Sequence, residues 1–294
     1  MKILLIGKTG QLGGDLIRNN RTHEIIAPDR SEVDIADPTT LERSLNTVKP
    51  DVLINTAAFH NVPLCEQEPD KAFRTNCVAV RDIARLCSRL DITFVTFSSD
   101  YVFGGDQRIP YREDDAPRPL QIYGISRAAG EYAALSEAPK QAIVIRTCGL
   151  YGLSGATSKG GNFVDKRIAD AKQHPVLEMG SDQTVCPTYT GDLSHAVFRL
   201  IEHPSLTPGI YHLVNDGECS WYEFTKTIYE ILGLKVDLRP VDRQGRSGDM
   251  RRPLYSVLAN TKAKALGITL PHWRDGLERF LLEKQREVPE ASTG

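Results

Sequence analysis

No run of about 18 apolar residues, the length a membrane-spanning helix needs, occurs anywhere in the sequence. The opening stretch Lys2-Ile3-Leu4-Leu5-Ile6-Gly7 is also too short for a signal-peptide core, so a cytoplasmic protein without a membrane partner is expected. Charge imbalance is missing too. Against 36 Lys and Arg stand 38 Asp and Glu, a net charge of -2, which provides no long-range attraction for nucleic acid or an acidic membrane. A local basic cluster could still grip a phosphate. The six cysteines (Cys65, Cys77, Cys87, Cys148, Cys186, Cys219) form no C-x-x-C pair, and the seven histidines form no H-x-x-H or H-E-x-x-H pattern. No metal site is expected, and the thiols read as buried and reduced. Internal repeats and low-complexity blocks are lacking as well.

What remains is an ordinary globular composition, 40% hydrophobic and 25% charged over 294 residues, enough to bury a substantial core. The first half alternates short apolar segments with helical patterns. Strands are predicted at Lys2–Ile6, Glu24–Ala27, Val52–Asn55, Thr93–Ser98 and Ala142–Thr147, each as apolar as a strand covered on both faces should be. Helices are predicted at Gln11–Arg18, Thr39–Val48, Asp70–Leu90 and Tyr123–Leu135, with Pro38 and Pro69 placed where a first helical turn tolerates proline. The alternation predicts an α/β fold, a Rossmann-type doubly wound parallel sheet with right-handed crossovers.

After Tyr151 the rhythm loosens. Gly152–Gly161 reads as a loop over a site. Helices are predicted at Phe163–Gln173, Asp192–Ile201, Trp221–Leu232, Thr261–Leu266 and Arg274–Leu282, with a strand at Gly209–Leu213. The expected organisation is a dinucleotide-binding domain over residues 1–150, whose sheet also receives later segments. A smaller substrate-binding lobe would follow over 151–288, then a frayed tail over 289–294.

Gly7-Lys8-Thr9-Gly10-Gln11-Leu12-Gly13 joins the first strand to the first helix. Glycines there allow a tight turn and let the backbone approach a pyrophosphate, whose charge meets free N–H groups at a helix N-terminus. The G-x-x-G-x-x-G spacing is a variant of the dinucleotide fingerprint. Asp29 lies about 20 residues further on, where a carboxylate takes ribose hydroxyls. The neighbouring Arg30 suits a 2'-phosphate instead, which leaves NAD and NADP both open as cofactor. Asp34 and Ile35 are expected to flank the adenine. Asn55-Thr56-Ala57-Ala58 ends the third strand with residues small enough for a cofactor to lie close.

Tyr123 and Arg127 share a helix face at i and i+4, and Ser98-Ser99-Asp100 ends the fourth strand, where ligands bind in such sheets. A hydroxyl, a phenol and a cation together can protonate a carbonyl oxygen while hydride reaches its carbon. A tyrosine needs a nearby positive charge for this, since its ordinary pKa is about 10.

These motifs, in this order, resemble the extended short-chain dehydrogenase/reductase superfamily, and within it the dTDP-4-dehydrorhamnose reductase family. The resemblance runs from Met1 to about Leu282. It rests on GKTGQLG, NTAA (Asn55–Ala58), SSDYVF (Ser98–Phe103), YGISRAAGE (Tyr123–Glu131), RTCGLYG (Arg146–Gly152), PTYTGDL (Pro187–Leu193), GIYHLVN (Gly209–Asn215), SWYEF (Ser220–Phe224) and RRPLYSVL (Arg251–Leu258). It implies NAD(P)H-dependent reduction of the 4-keto group of a nucleotide-linked deoxysugar. Tyr123 would be the proton donor, and Ser99 would polarise the keto oxygen. Gly10, Gln11 and Leu12 would lie on the pyrophosphate and Asp29 on the ribose. Ala57, Ala58 and Phe59 would line the cofactor, Asp100 would touch the sugar, and Arg251 would face the substrate diphosphate. A homodimer is left open.

Two positions depart from the family pattern. Arg127 stands where the family has lysine, keeping the charge in a bulkier, planar group that relays no proton. Gly149 stands where studied members carry Trp against the substrate, which predicts a wider pocket. Three readings stay open: a dTDP-4-dehydrorhamnose reductase, a reductase of another nucleotide-4-keto-sugar, and a non-catalytic NADP-binding subunit. The regulatory subunit of methionine adenosyltransferase resembles the same family and also carries SSDYVF. Among other residues, His60 is expected in a polar loop role and Trp221 and Tyr222 in packing. The basic stretch Arg243, Arg246, Arg251 and Arg252 is weighed between a solvated loop and phosphate binding.

Overall fold

A computed structural model describes residues 1–154, 161–248 and 250–287. Most of the predicted Gly152–Gly161 loop and the whole tail from Pro289 lie outside the described residues.

Strands β1 (Lys2–Ile6), β2 (Glu24–Ile26), β3 (Val52–Asn55), β4 (Thr93–Ser99) and β5 (Ala142–Thr147) build a parallel sheet in the order β2-β1-β3-β4-β5. Helices α1 (Gln11–Asn19), α2 (Pro38–Val48), α5 (Ala79–Leu90) and α6 (Ile122–Glu137) return the chain between them, with α3 (Val62–Gln67) and α4 (Pro69–Phe73) preceding α5. Side chains alternate across each strand, and both faces are covered. Ile3, Leu5, Val95, Phe97, Ile143 and Ile145 face one apolar cluster; Leu4, Ile6, Leu53, Phe94 and Val144 face another.

The second half adds short strands β6 (Leu150–Tyr151), β7 (Val176–Gly180), β8 (Thr184–Val185) and β9 (Thr188–Tyr189), then β10 (Gly209–His212), β11 (Cys219–Ser220), β12 (Asp237–Val241), β13 (Arg246–Ser247) and β14 (Met250–Arg251). Helices α7 (Phe163–Gln173), α8 (Thr190–Ile201), α9 (Trp221–Leu232), α10 (Thr261–Ala265) and α11 (Trp273–Glu287) accompany them. The chain then returns to the large sheet. β10 pairs in parallel with β5 as a sixth strand, and α8 supplies Leu193, Val197 and Leu200 to the first cluster. An aromatic cluster of Tyr151, Tyr189, Phe224, Trp273 and Phe280 holds the remaining segments together. No helix among the described residues is long and apolar enough to cross a membrane.

The segment predicted as one helix over Asp70–Leu90 differs in a way that matters for the site. α4 and α5 are joined by a π-helical turn, Arg74–Val78, which carries the buried Asn76. A π turn shifts the phase of a helix by one residue, and here it brings the Asn76 backbone against Gly130 of α6. A Cβ on Gly130 would sit 2.1 Å from the Asn76 carbonyl oxygen. α3 is not predicted at all, because its six residues are too few to show a helical period.

Candidate active site

The strand order reverses between β1 and β3, and open α/β sheets bind ligands at that crevice beyond the strand ends. Gly7 turns the chain there with φ +93; a Cβ on it would sit 2.4 Å from Thr56 Oγ1. Thr56 holds the turn by donating to the carbonyls of Ile6 (2.8 Å) and Gly7 (3.1 Å). A Cβ on Gly13 would come within 2.2 Å of the Gly7 carbonyl oxygen, so the first turn of α1 lies directly on the loop. Gly10 is the N-cap of α1 and no side chain caps the helix, which leaves its first N–H groups facing the crevice.

Asp29 and Arg30 follow β2 on the same rim. Lys8 of the glycine loop reaches Asp29 with Nζ 3.0 Å from Oδ1. Arg30 lies 3.4 Å from Asp34 across an exposed turn. Ile35 is buried with Ile6 and Val33 in the second apolar cluster. Ala57, Ala58 and Phe59 are half-buried beyond β3, and His60 is exposed with Nδ1 3.3 Å from the Ala58 carbonyl. Asn76 locks this segment from behind. Its amide accepts from Phe59 N–H (2.9 Å) and donates to the Phe59 carbonyl (2.9 Å) and to Ser126 Oγ (3.1 Å). The segment that follows β3 and helix α6 are therefore fastened to one side chain.

Tyr123 and Arg127 lie one turn apart on α6, as the spacing predicts. The α6 N-terminus is capped from outside: Glu66 of α3 accepts from the Ile122 N–H at 2.7 Å. The Tyr123 phenol meets the Ser99 hydroxyl at the end of β4. Burial pushes the Tyr123 pKa up, while the Arg127 cation and the Ser99 hydroxyl act against that rise. Arg127 is buried and lines a small cavity together with Thr96, Ser98 and Glu131.

Ser99 donates to Asp100 Oδ1 at 2.8 Å, and Ser256, from the far end of the sequence, donates to Asp100 Oδ2 at 2.7 Å. Burial raises the Asp100 pKa, and these two hydroxyls oppose the rise. Ser256 carries no signal of its own in the sequence, since a single serine 156 positions away gives no spacing to read.

The structure separates the two arginines that follow β13. Arg251 is exposed within β14, whereas Arg252 turns inward, and its charge acts on the buried Tyr101 phenol next to Tyr123. Gly149 adopts φ +56, which favours glycine, and a Cβ there would lie 3.2 Å from Trp221 Cη2. Trp221 itself is half-buried, with its ring 4.6 Å from that of Phe163. The space that glycine was expected to open is thus bounded by the indole edge, and Trp221 packs as expected while also forming wall.

The crevice fits a polar ligand. Gln11 Oε1, Asn55 Nδ2, Ser98 Oγ, Thr147 Oγ1, Arg127 Nε and Arg252 Nε are buried and lack a hydrogen-bond partner among the described residues. Buried polar atoms are ordinarily satisfied. Here Asn55, Ser98 and Thr147 stand at the ends of β3, β4 and β5, with Gln11 across from them at the start of α1. Such a set suits the amide, ribose and pyrophosphate groups of a nicotinamide dinucleotide.

Comparison with known proteins agrees with this geometry. The chain is 39% identical over 285 residues to the spore coat polysaccharide biosynthesis protein SpsK of Bacillus subtilis, covering 96% of this chain and 98% of that protein. It is 32% identical to the dTDP-4-dehydrorhamnose reductase of Sinorhizobium fredii, over 96% of this chain and 97% of that one. The crystal structure of dTDP-4-dehydrorhamnose reductase from Bacillus anthracis in complex with NADP superposes with a TM-score of 0.90 at 33% identity, covering 96% of this chain and 99% of that chain. The family described as RmlD substrate binding domain matches residues 1–286, and the chain belongs to that family.

Proposed function

We propose that the chain reduces the 4-keto group of a dTDP-linked 6-deoxyhexose, as a dTDP-4-dehydrorhamnose reductase, with NADPH or NADH as reductant. The oxidoreductase class and the nicotinamide cofactor accompany the family; the sugar is the proposal. One observation carries it: the Tyr123 phenol meets the Ser99 hydroxyl at the end of β4, with the Arg127 cation one turn further along α6 acting on that phenol.

A nicotinamide cofactor held at the start of α1 would, when bound, be the source of hydride for the carbonyl carbon. Negative charge then develops on the keto oxygen, and the Tyr123 O–H delivers its proton there. Arg127 stabilises the phenolate left behind, so the cation acts on Tyr123 and not on the sugar. Ser99 steadies the same oxygen by turning its single hydroxyl proton from Asp100 Oδ1 to the substrate, while Ser256 holds the other oxygen of the Asp100 carboxylate in place. The first N–H groups of α1, over Gly10, Gln11, Leu12 and Gly13, take the cofactor pyrophosphate. Arg252, with a buried and unpartnered Nε among the described residues, takes the substrate diphosphate, a role the family resemblance implied for Arg251. The name of the Bacillus subtilis relative agrees with a product destined for polysaccharide.

The assay is loss of NADPH or NADH absorbance with a dTDP-4-dehydro-6-deoxyhexose. Consumption of neither cofactor by folded protein would falsify the reading. Arg127 keeps a second reading in view, a subunit that binds NADP without turnover. Tight NADP binding with no reduction, and no gain from Arg127→Lys, would establish it.

A further inference from the structure

Two strand registers converge on Cys148. β5 pairs with β4 so that Thr147 stands opposite Ser99, and the next step along both strands brings Cys148 to Asp100. β6 pairs with β9 so that Leu150 stands opposite Thr188, and two steps back bring Cys148 to Cys186. The side chains meet accordingly. The Asp100 carboxylate accepts from the Cys148 thiol as well as from Ser99 and Ser256, and the Cys148 sulfur lies against Cys186 Sγ. Both thiols are buried, at 2% and 1% exposure, in a cluster with Val102, Val185 and Val214.

Cys148 has one proton and two acceptors within reach. The Cys186 N–H donates to the Cys148 sulfur, and Cys186 is held there by its own carbonyl, which accepts from Thr188 Oγ1 at 3.1 Å. That leaves the S–H to choose between a carboxylate and a second thiol. An ionised acceptor forms the stronger bond, so the proton points at Asp100. Burial pushes the Cys148 pKa well up, which keeps the group protonated and makes it a donor and not a nucleophile.

We propose that Cys148 is a positioning residue for the reduction, acting through Asp100. Ser99 owns a single proton, which rests on Asp100 Oδ1 at 2.8 Å and must turn to the keto oxygen as charge develops there. Asp100 is only 4% exposed, so bulk water does not replace the donor it loses. The Cys148 S–H and the Ser256 O–H stay behind on the carboxylate and keep it satisfied while Ser99 is turned away. Without the thiol, the carboxylate holds Ser99 back. The inference deepens the proposed reductase chemistry and rests on that reading for the part played by Ser99.

Two measurements on the full chain test it. In steady-state reduction of a dTDP-4-dehydro-6-deoxyhexose, Cys148→Ala is expected to lower kcat about tenfold, the scale of one hydrogen bond to a charged group, with KM within about twofold of the parent. Cys148→Ser restores an O–H donor of similar size and is expected to recover most of that loss. The second readout needs no turnover: the infrared S–H stretch of Cys148, identified as the band that Cys148→Ser removes. It is expected below the band of Cys87, which lies in the second apolar cluster, and to rise toward it in Asp100→Asn but not in Cys186→Ala. A Cys148→Ala kcat within about twofold of the parent, a serine variant no better than alanine, or a band that follows Cys186 and ignores Asp100 overturns the proposal. If no dTDP-sugar is reduced, the reductase reading fails; a lowered band that answers to Asp100→Asn then still upholds the hold of Cys148 on Asp100, and an unshifted one overturns it.

Discussion

Glu131 follows Arg127 by one further turn of α6, and its carboxylate is clamped by Arg146 of β5. Arg146 Nε donates to Oε1 at 2.9 Å and Nη2 to Oε2 at 2.7 Å, with side chains only 1% and 3% exposed. The Arg146 guanidinium also lies over the Phe103 ring at 4.9 Å. Glu131→Gln keeps the shape but leaves a buried arginine without its counter-charge. Breaking such a pair from one side costs about 3–5 kcal/mol. The conservative amide retains one acceptor, so about 3 kcal/mol is expected. For a chain of this length that corresponds to a Tm lower by roughly 6–12 °C. Urea denaturation and thermal melting at neutral pH would read it. The control is Glu131→Leu with Arg146→Met, which removes both charges together and should recover most of the loss. A loss under about 1 kcal/mol for the single variant, or a double variant no more stable than the single, would refute the reasoning.

Three further outcomes are expected. Burial and then the Arg146 charge hold the His212 pKa down to about 3. With the folded value below the ordinary one, the unfolded chain binds more protons in between. Stability from this group is therefore complete above about pH 6.5 and falls as pH drops toward 3; His212→Gln should flatten that acid limb in melts taken across pH. Because Arg127 offsets the burial-driven rise in the Tyr123 pKa, Arg127→Met should move the alkaline limb of the kcat profile upward and lower kcat by about 10²–10⁴-fold. Unchanged profiles would separate Arg127 from the proton transfer. Ser256→Ala removes the donor 2.7 Å from Asp100 Oδ2 and should cost about 1–3 kcal/mol in denaturation, with kcat falling more than KM rises; a kcat within twofold of the parent would place Ser256 outside the machinery.

The sheet was legible because each of its strands is a short apolar run, and buried parallel strands leave little else to write in the sequence. β1, β3 and β5 fall where the sequence places them, and β4 runs one residue further, to Ser99. Tyr123, Arg127 and Ser99 were legible for a different reason: one pair shares a helix face at i and i+4, and the serine ends a strand. The residues that escaped are those whose role is set by partners far away in the chain. Glu66 caps a helix 56 positions later, Asn76 joins Phe59 to Ser126, and Ser256 meets Asp100 across 156 residues. Arg251 and Arg252 are adjacent, so composition alone cannot say which points inward; Arg251, the last residue of β14, is exposed, and Arg252 just after it is half-buried. Gly149 suggested an empty space because the sequence does not reveal that Trp221, 72 positions on, stands beside it.

The π turn at Arg74–Val78 has a consequence for how the chain tolerates change. Each residue advances a helix by about 100°, so one surplus residue rotates everything after it by that angle. The turn lets a single rod serve two masters: Asn76 looks toward α6, while Val80, Ile83 and Ala84 look toward the sheet. Deleting one residue here would leave composition and hydrophobicity almost untouched and would still turn one of those faces away from its partner.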